Sequence, residues 1–105
     1  MKVLLVNSSR SMRGGESQTL ELGRRLLGRG IETAFAVRSG SDLGAALPGD
    51  AVSVELRFET VPLVTPRRLR RFIRRWSPDI VHAQTSRAHT HALASCRGLA
   101  RLVVS

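Results

Sequence analysis

The sequence has one cysteine, and it has no apolar stretch long enough to cross a membrane. Cys96 has no partner for an internal disulfide, which fits a reducing compartment. The longest apolar runs are as short as Val3–Val6, whereas a membrane-spanning helix needs about 20 apolar residues. Asn7 and Arg10 end the first run too early for a signal peptide, and no small-residue cleavage pattern follows. We therefore expect a cytoplasmic location.

Familiar phosphate-binding and metal-binding patterns are missing as well. The sequence has neither the Gly-x-Gly-x-x-Gly spacing of dinucleotide-binding domains nor the Gly-Lys-Ser/Thr that completes a Walker A loop. His89 and His91 are two residues apart, so on a helix they point about 200° apart and do not readily share an ion. Cys96 is interpreted as a small core residue. We expect neither a metal site nor a cofactor.

Acidic residues are few: the 105 residues include 17 Lys or Arg against 8 Asp or Glu, a net charge of +9. Lys2 is the only lysine. Such an excess favours nucleic acid, anionic lipid or phosphate-bearing ligands as partners. An arginine bias also arises from a GC-rich genome with its charges on a solvated surface, so the charge alone leaves both interpretations open.

Strand and helix patterns alternate along the chain. In order, we predict a strand at Lys2–Asn7, a helix at Glu16–Arg29, a strand at Glu32–Val37, a helical turn at Leu43–Leu47, a strand at Ala51–Leu56, a helix from Thr65 to about Trp76, a strand at Asp79–Ala83, a helix at Ser86–Gly98 and a strand at Arg101–Val104. This order predicts one α/β domain over residues 1–105, a three-layer Rossmann-like fold with a parallel sheet of about five strands.

Residue patterns also predict where these elements lie and end. The first strand is the most apolar and should be central, while the alternating strand at Ala51–Leu56 belongs near an edge. Thr65 is the expected N-cap of its helix, with Pro66 at the first helical position. Gly28 and Gly30 should end the first helix. Its apolar stripe comprises Leu20, Gly23 and Leu27, flanked by Leu22 and Leu26.

Ligands of parallel α/β sheets bind beyond the carboxyl ends of the strands. The segments to consider are therefore Asn7–Gly15, Arg38–Ser41 and His82–Ser86. Gly14 and Gly15 allow close backbone approach, and the unpaired amides of a helix start suit a phosphate. The alternative is a plain strand-to-helix turn that needs flexible residues.

His82 lies at the carboxyl end of the predicted strand Asp79–Ala83, and hydroxyl side chains follow that lead into a helix, an arrangement suited to a polar ligand. The alternative is a packed histidine, with Thr85 or Ser86 serving as the N-cap of the next helix. We favour that N-cap role over a catalytic one.

A basic amphipathic helix follows Thr65. Its apolar residues recur at i, i+3, i+4 and i+7, from Leu69 to Trp76, and should pack on the sheet. Six arginines cover the rest: Arg67, Arg68, Arg70, Arg71, Arg74 and Arg75. These arginines face water or contact anionic lipid. Nucleic acid is not the expected partner, because no recognised binding motif and no interleaved exposed aromatics are present.

Taken together, these segments resemble the N-terminal domain of GT-B glycosyltransferases, specifically glycosyltransferase family 4. The family opens with Met-Lys, an apolar run, a Gly-Gly loop, a helix ending in Arg-Gly and a strand, and Met1–Val37 follows that order. Ser39–Leu47 resembles the loop after the second strand. Arg74–Ala94 resembles the Pro-Asp-Ile-Val-His-Ala-His strand and its helix, and Leu102–Ser105 resembles the strand that follows.

Two departures from the family pattern are visible. Where the common form is Gly-Gly-x-Glu, this chain has the variant Gly-Gly-Glu-x-Gln, with Glu16 directly after Gly15 and with Gln18 retained. The second histidine of the strand motif is Gln84 here, so hydrogen bonding is retained at that position while proton transfer is lost.

The resemblance implies a lobe of an enzyme that transfers a sugar from a nucleotide-diphosphate sugar to an acceptor. It implies that Gly14, Gly15 and Glu16 approach the donor phosphates. It also implies that the acceptor pocket is bordered by His82, Gln84, Thr85 and Ser86. No residue is assigned to catalysis. A lipid-linked or cell-envelope acceptor would suit the arginine helix and a peripheral position at the inner membrane face.

In this family the C-terminal lobe supplies most donor contacts, and we find no such lobe in these 105 residues. We therefore expect an incomplete GT-B unit that is inactive by itself, because cleft catalysis needs both walls. Uncovered sheet edges and apolar patches would favour self-association. The alternative function is a basic module that binds a membrane surface or nucleic acid without catalysis.

Overall fold

The computed structural model describes residues 1–9, 14–57, 64–83 and 101–104, without the side chains of 14–16, 64–66 and 101–104. Within these ranges the elements, in chain order, are β1 (Lys2–Asn7), α1 (Gly14–Gly28), β2 (Glu32–Arg38), α2 (Asp42–Ala46), β3 (Val52–Leu56), α3 (Val64–Trp76), β4 (Ile80–Ala83) and β5 (Arg101–Val104). The predicted helix at Ser86–Gly98 lies outside the described residues.

All strands join one parallel sheet in the order β3-β2-β1-β4-β5. β1 lies at its centre, where Leu5 pairs with Phe35 of β2 and with His82 of β4. Residues from Val3 to Asn7 are buried, as expected for a strand covered on both faces. The predicted parallel sheet, the central first strand and the Rossmann-like α/β class are thus confirmed.

Helices cover both faces of the sheet, which gives the predicted three layers. One face packs against α3, and its buried cluster comprises Leu4, Val6, Ala34, Ala36, Leu56, Leu69, Ile73, Val81 and Ala83. The other face packs against α1 and α2, and its buried cluster comprises Val3, Leu5, Phe35, Val37 and Leu43. Alternate residues of each strand therefore serve opposite layers.

Helix α1 differs from its predicted form at its start and along its stripe. It begins at Gly14, two residues before the predicted Glu16, so the glycine pair belongs to the helix and not to the loop. Gly23 is buried directly on the ring of Phe35, whereas Leu27 is 40% exposed. The predicted place of Leu27 in the buried stripe was therefore wrong, because the helix turns its Thr19–Gly23 line towards the sheet.

The end of α1 agrees with the prediction. The last helical residue is Gly28, and Gly30 adopts a positive φ of 78°. The Gly30 amide donates to the Leu27 carbonyl, and the Ile31 amide donates to the Leu26 carbonyl, both at 3.0 Å. These two bonds are those of a Schellman motif, whose reversed residue is most easily a glycine.

The strand β3 lies at one edge of the sheet, as its alternating sequence predicted. Val54 and Leu56 pack towards α3, while Glu55 points to solvent. The short helix α2 precedes it and is capped by Ser41, whose Oγ accepts from the Gly44 amide at 3.1 Å. Self-association through uncovered edges stays a prediction.

Helix α3 begins at Val64, so Thr65 lies in its first turn and is not the N-cap that we predicted. Pro66 is tolerated there because the first-turn amides have no acceptor within the helix. At the other end, Lys2 Nζ donates to the Trp76 carbonyl at 3.0 Å and lies 5.3 Å from the centre of the Trp76 ring. A cation at a helix C-terminus is favourable. No helix among the described residues is long and apolar enough to span a membrane.

Candidate functional site

The carboxyl ends of β1, β2 and β4 meet at one edge of the sheet, and polar or charged side chains lie there. Asn7 ends β1, Arg38 ends β2, and His82 lies one residue before the end of β4. Parallel pairing brings these strand ends together, although 30 or more residues separate them in sequence. This edge is the candidate functional site.

Asn7 connects the sheet to both the following loop and the following helix. Its side chain is 1% exposed, and its Nδ2 donates to the Thr19 hydroxyl at 2.9 Å. Its Oδ1 accepts from the Ser9 amide, also at 2.9 Å. A buried amide is stabilising only when its donors and acceptors are paired, and here both ends of the side chain are used.

Arg38 holds the same loop from the neighbouring strand. Its Nε donates to the Ser8 carbonyl at 2.7 Å, a short charge-assisted bond, and the side chain is half-buried. Ser8 itself is 7% exposed. The first two residues of the loop are thus fixed, Ser8 by Arg38 and Ser9 by Asn7. A permanent positive charge lies beside them.

Gly14 and Gly15 form the start of α1 at this same edge. Thr19 contacts Asn7 at the carboxyl end of β1. A helix rises 1.5 Å per residue, so Gly14, five residues earlier, lies roughly 7 Å farther along the axis, beyond the strand end. The first four amides of a helix have no acceptor within it and suit an anion. The pair therefore lies at the carboxyl edge of the sheet. The side chain of Glu16 lies outside the described residues.

His82 lies on the face of the sheet that carries α1. Its neighbour two residues back, Ile80, packs against the α1-side cluster, and strand alternation puts His82 on the same side. The imidazole is half-buried, and its buried Nε2 has no hydrogen-bond partner in the part of the chain that the structure describes. Desolvation lowers the pKa of His82 below the usual value of 6.5. The lowered pKa favours the neutral form of the ring near pH 7.

The other predicted acceptor-side residues lie outside the described residues, namely Gln84, Thr85 and Ser86. The same holds for His89, His91 and Cys96. Among the residues that are described, no group of three or more His, Cys, Asp or Glu could hold a metal ion.

A pocket of about 500 Å³ runs along the outer flank of α1. It is lined by Ser17, Gln18, Glu21, Leu22 and Arg25. Glu21 and Arg25 form an ion pair one turn apart, 3.3 Å from Oε1 to Nε. Gln18, the last residue of the Gly-Gly-Glu-x-Gln pattern, thus faces open space beside the start of α1.

The arginine helix has the predicted amphipathic form. Leu69 and Ile73 are buried in the α3-side cluster, and Phe72 and Trp76 pack half-buried beside them with stacked rings, centroids 6.1 Å apart. Arg70 is half-buried, and its side chain interacts with another group of the chain. The exposed arginines are Arg67, Arg68, Arg71, Arg74 and Arg75.

Sequence reasoning did not single out Asn7, Thr19 or Arg38, although it marked two of the segments that contain them. The available signal was positional: Asn7 and Arg38 are the first polar residues after two apolar strands. The bond from Asn7 to Thr19 had no such signal, because it depends on how α1 folds back onto the sheet.

Comparison with known proteins agrees with this geometry. The model of Glycosyltransferase Family 4 matches residues 12–105, nearly the whole chain. The chain belongs to glycosyltransferase family 4. A search of curated proteins gave no match.

Solved structures give the same fold for this family 4 chain. A glycosyltransferase from Rickettsia africae ESF-5 superimposes with a TM-score of 0.77 at 21% identity, over 98% of this chain and 29% of that one. Acinetobacter baumannii MurG superimposes with a TM-score of 0.77 at 11% identity, over 99% of this chain and 34% of that one. The chain spans about a third of the length of these structures, and the shared part is a GT-B Rossmann-like lobe.

Proposed function

We propose that this family 4 chain is the acceptor-side lobe of a glycosyltransferase that moves a sugar from a nucleotide-diphosphate sugar to an acceptor. The observation that carries the proposal is the start of α1. Two glycines lie in its first turn, beyond the end of the central strand, and Arg38 and Asn7 hold Ser8 and Ser9, the first two residues after that strand. First-turn amides that have no acceptor within the helix, together with the positive end of the helix dipole, favour phosphate oxygens.

In this proposal the donor phosphates approach the amides of Gly14 and Gly15, with Glu16 beside them. His82 borders the acceptor pocket together with Gln84, Thr85 and Ser86. A neutral imidazole whose Nε2 has no partner among the described residues is suited to bond a sugar hydroxyl, since a neutral ring nitrogen donates or accepts one hydrogen bond.

The test is a titration of the ¹⁵N-labelled chain with UDP, GDP and their sugars, followed by amide chemical shifts. We expect the amides of Gly14 and Gly15 to shift in a saturable way. Gly28 and Gly30, at the opposite end of the same helix, are internal controls and should not move. Equal shifts at both ends, or none at millimolar ligand, would contradict the proposal.

We further propose that the 105-residue chain binds a donor without transferring its sugar. Positioning and charge stabilisation in a cleft depend on groups from both of its walls. Nucleotide release should therefore stay at the uncatalysed level under conditions in which Gly14 and Gly15 respond to UDP. Steady release above that level, abolished by a substitution in the chain, would show that one lobe suffices.

We also propose that the chain works in the cytoplasm at the inner membrane face, on a lipid-linked or cell-envelope acceptor. The support is helix α3, which buries its apolar stripe on the sheet and leaves five arginines exposed. Each such residue near an anionic surface contributes about 1 kcal/mol. Co-sedimentation with phosphatidylglycerol vesicles should exceed that with phosphatidylcholine vesicles. Equal or no pelleting would contradict membrane association and would favour a soluble acceptor.

A further inference from the structure

A pocket of about 200 Å³ lies between α3 and the edge strand β3, on the face of the sheet opposite α1. Its lining combines three arginines with two apolar side chains: Arg68, Arg71, Arg75, Val54 and Phe72. The pocket is separate from the candidate functional site: its residues belong to α3 and β3, whereas Asn7, Arg38 and His82 lie at the carboxyl ends of β1, β2 and β4.

Within the described ranges, no acidic side chain neutralises the three arginines of the pocket. None of them makes an ion pair or a side-chain hydrogen bond with the described residues. Helix α3 contains no Asp or Glu. The nearest acid along β3 is Glu55, and strand alternation puts it on the other face from Val54. Three like charges around one small pocket repel one another, so an anion that enters it is favoured.

The geometry favours a phosphate group over a single carboxylate. Arg68, Arg71 and Arg75 are spaced i, i+3 and i+7, so all three project from one side of α3. A phosphate offers several oxygens to several guanidinium groups at once, and arginine binds it through paired hydrogen bonds. Two carboxylate oxygens satisfy fewer of these donors.

The apolar part of the pocket indicates what is attached to the phosphate. Val54 is half-buried beneath the arginines, and Val52, two residues earlier on the same face of β3, is 44% exposed. An apolar strip thus continues from the pocket along β3 to Val52, at the start of that strand. A phosphate ester with a carbon chain or glycerol unit fits this combination better than free phosphate.

We propose that Arg68, Arg71 and Arg75, with Val54 and Phe72, form a binding site for a phosphate ester, either a lipid headgroup or a soluble metabolite. The site goes beyond the transferase function, because it lies in a different layer and does not use the glycine pair. Of the six arginines of α3, the proposal assigns three to this binding site, namely Arg68, Arg71 and Arg75.

The chain offers a closely matched pair of double variants. Arg68→Ala/Arg75→Ala removes two charges from the pocket. Arg67→Ala/Arg74→Ala removes two exposed charges from the same helix, at the same seven-residue separation, outside the pocket. Circular dichroism and thermal unfolding of both variants check that the fold is intact.

The first measurement titrates sn-glycerol 3-phosphate into the ¹⁵N-labelled chain and follows the arginine Nε–Hε signals. The second measures co-sedimentation with phosphatidylglycerol vesicles. In the glycerol 3-phosphate titration we expect the pocket variant to lose about tenfold or more in affinity and the control variant less than about threefold. In the vesicle measurement both variants lose affinity through their missing charges, and we expect the pocket variant to lose more. Binding in both measurements indicates a soluble phosphate ester as a ligand, whereas binding to vesicles alone indicates a lipid headgroup.

An equal loss in both double variants would overturn the pocket proposal, since it would show a diffuse charge effect, while membrane association itself would stand. Absence of binding in both measurements would also overturn it. Neither result bears on the response of Gly14 and Gly15 to nucleotides, so failure of the pocket and failure of the transferase proposal are distinguishable.

Discussion

Gly23 is the point at which α1 approaches the sheet most closely, and Gly23→Ala tests that contact. A Cβ built on Gly23 overlaps the Cζ and Cε1 atoms of Phe35, and Leu5 Cδ1 lies 3.5 Å from the same position. The Phe35 ring is fully buried, so it has no solvent to move into. The added methyl group therefore forces either the ring or the helix to shift.

Two opposing effects set the size of the change. Alanine is favoured over glycine in a helix interior by about 1 kcal/mol. Overpacking a core by a methyl group costs about 1–3 kcal/mol, and the enclosed ring places Gly23 in the upper part of that range. We expect Gly23→Ala to lower the free energy of unfolding by about 1–2 kcal/mol. A change of 1 kcal/mol shifts the melting temperature of a domain this size by about 4–8 °C.

Gly28→Ala is the matched control, because Gly28 belongs to the same helix and a Cβ there meets nothing within 4 Å. We expect it to be neutral or to stabilise by up to about 1 kcal/mol. Urea unfolding of both variants at equal m-value measures the two changes. Opposite signs support the packing argument. A stabilising Gly23→Ala would refute it, since the methyl group would then have room.

A double-mutant cycle tests whether Phe35 is the residue that the new methyl group at position 23 overlaps. Leucine at position 35 lacks the ring atoms that the new Cβ meets, so the cost of Gly23→Ala should largely disappear in a Phe35→Leu background. Coupling between residues in direct contact is about 0.5–3 kcal/mol. Strict additivity would show that Phe35 is not the obstacle.

Three further predictions concern other parts of the structure. Ser77 directly follows α3 and has a φ of 56°. Ser77→Gly should raise the free energy of unfolding by about 1 kcal/mol, and no gain in urea unfolding would mean that the site is unstrained. Lys2→Met should lower the free energy of unfolding by about 1 kcal/mol, because it removes the hydrogen bond to the Trp76 carbonyl and the contact with the Trp76 ring. Urea unfolding measures the change, with Arg24→Met as a control. Burial holds the pKa of His82 below 6.5, so the unfolded chain binds more protons, and stability should fall as pH drops below about 6.5. His82→Gln should weaken that pH dependence in unfolding measured at pH 5.5 and 7.5, and an unchanged dependence would exclude His82 as its source.

Much of the fold was predictable because the strands differ in burial in ways that sequence records. The unbroken apolar run of β1 indicated a strand covered on both faces, and the alternation in β3 indicated an edge. The start of α1 was predicted two residues late, since glycines favour loops on propensity alone. In the structure the contact of Thr19 with Asn7 accompanies a helix that extends back to Gly14.

The candidate site was predictable in outline and not in its contacts. Parallel topology indicated that the segments Asn7–Gly15, Arg38–Ser41 and His82–Ser86 lie at the carboxyl ends of strands. In the structure Asn7 and Arg38 end β1 and β2, and His82 lies one residue before the end of β4. The bond from Arg38 to Ser8 joins residues 30 apart, and its existence depends on the twist and register of two strands. The arginine pocket could not be predicted from the sequence either, because it also depends on how distant elements pack together. A helical wheel gives the face of Arg68, but only the fold places Val54 opposite it.

The central position of β1 has a consequence for synthesis of the chain. The Lys2 amide donates to the Asp79 carboxylate, 77 residues away, and the Asp79 amide donates to the Lys2 carbonyl. On that side β1 pairs with β4. The ribosome synthesises β1 first and β4 much later. One side of the most apolar strand therefore stays unpaired while the helices between β1 and β4 are synthesised. We therefore expect nascent chains halted before residue 80 to bind chaperones strongly, and chains halted on an added C-terminal linker that carries Val104 out of the ribosome to be released.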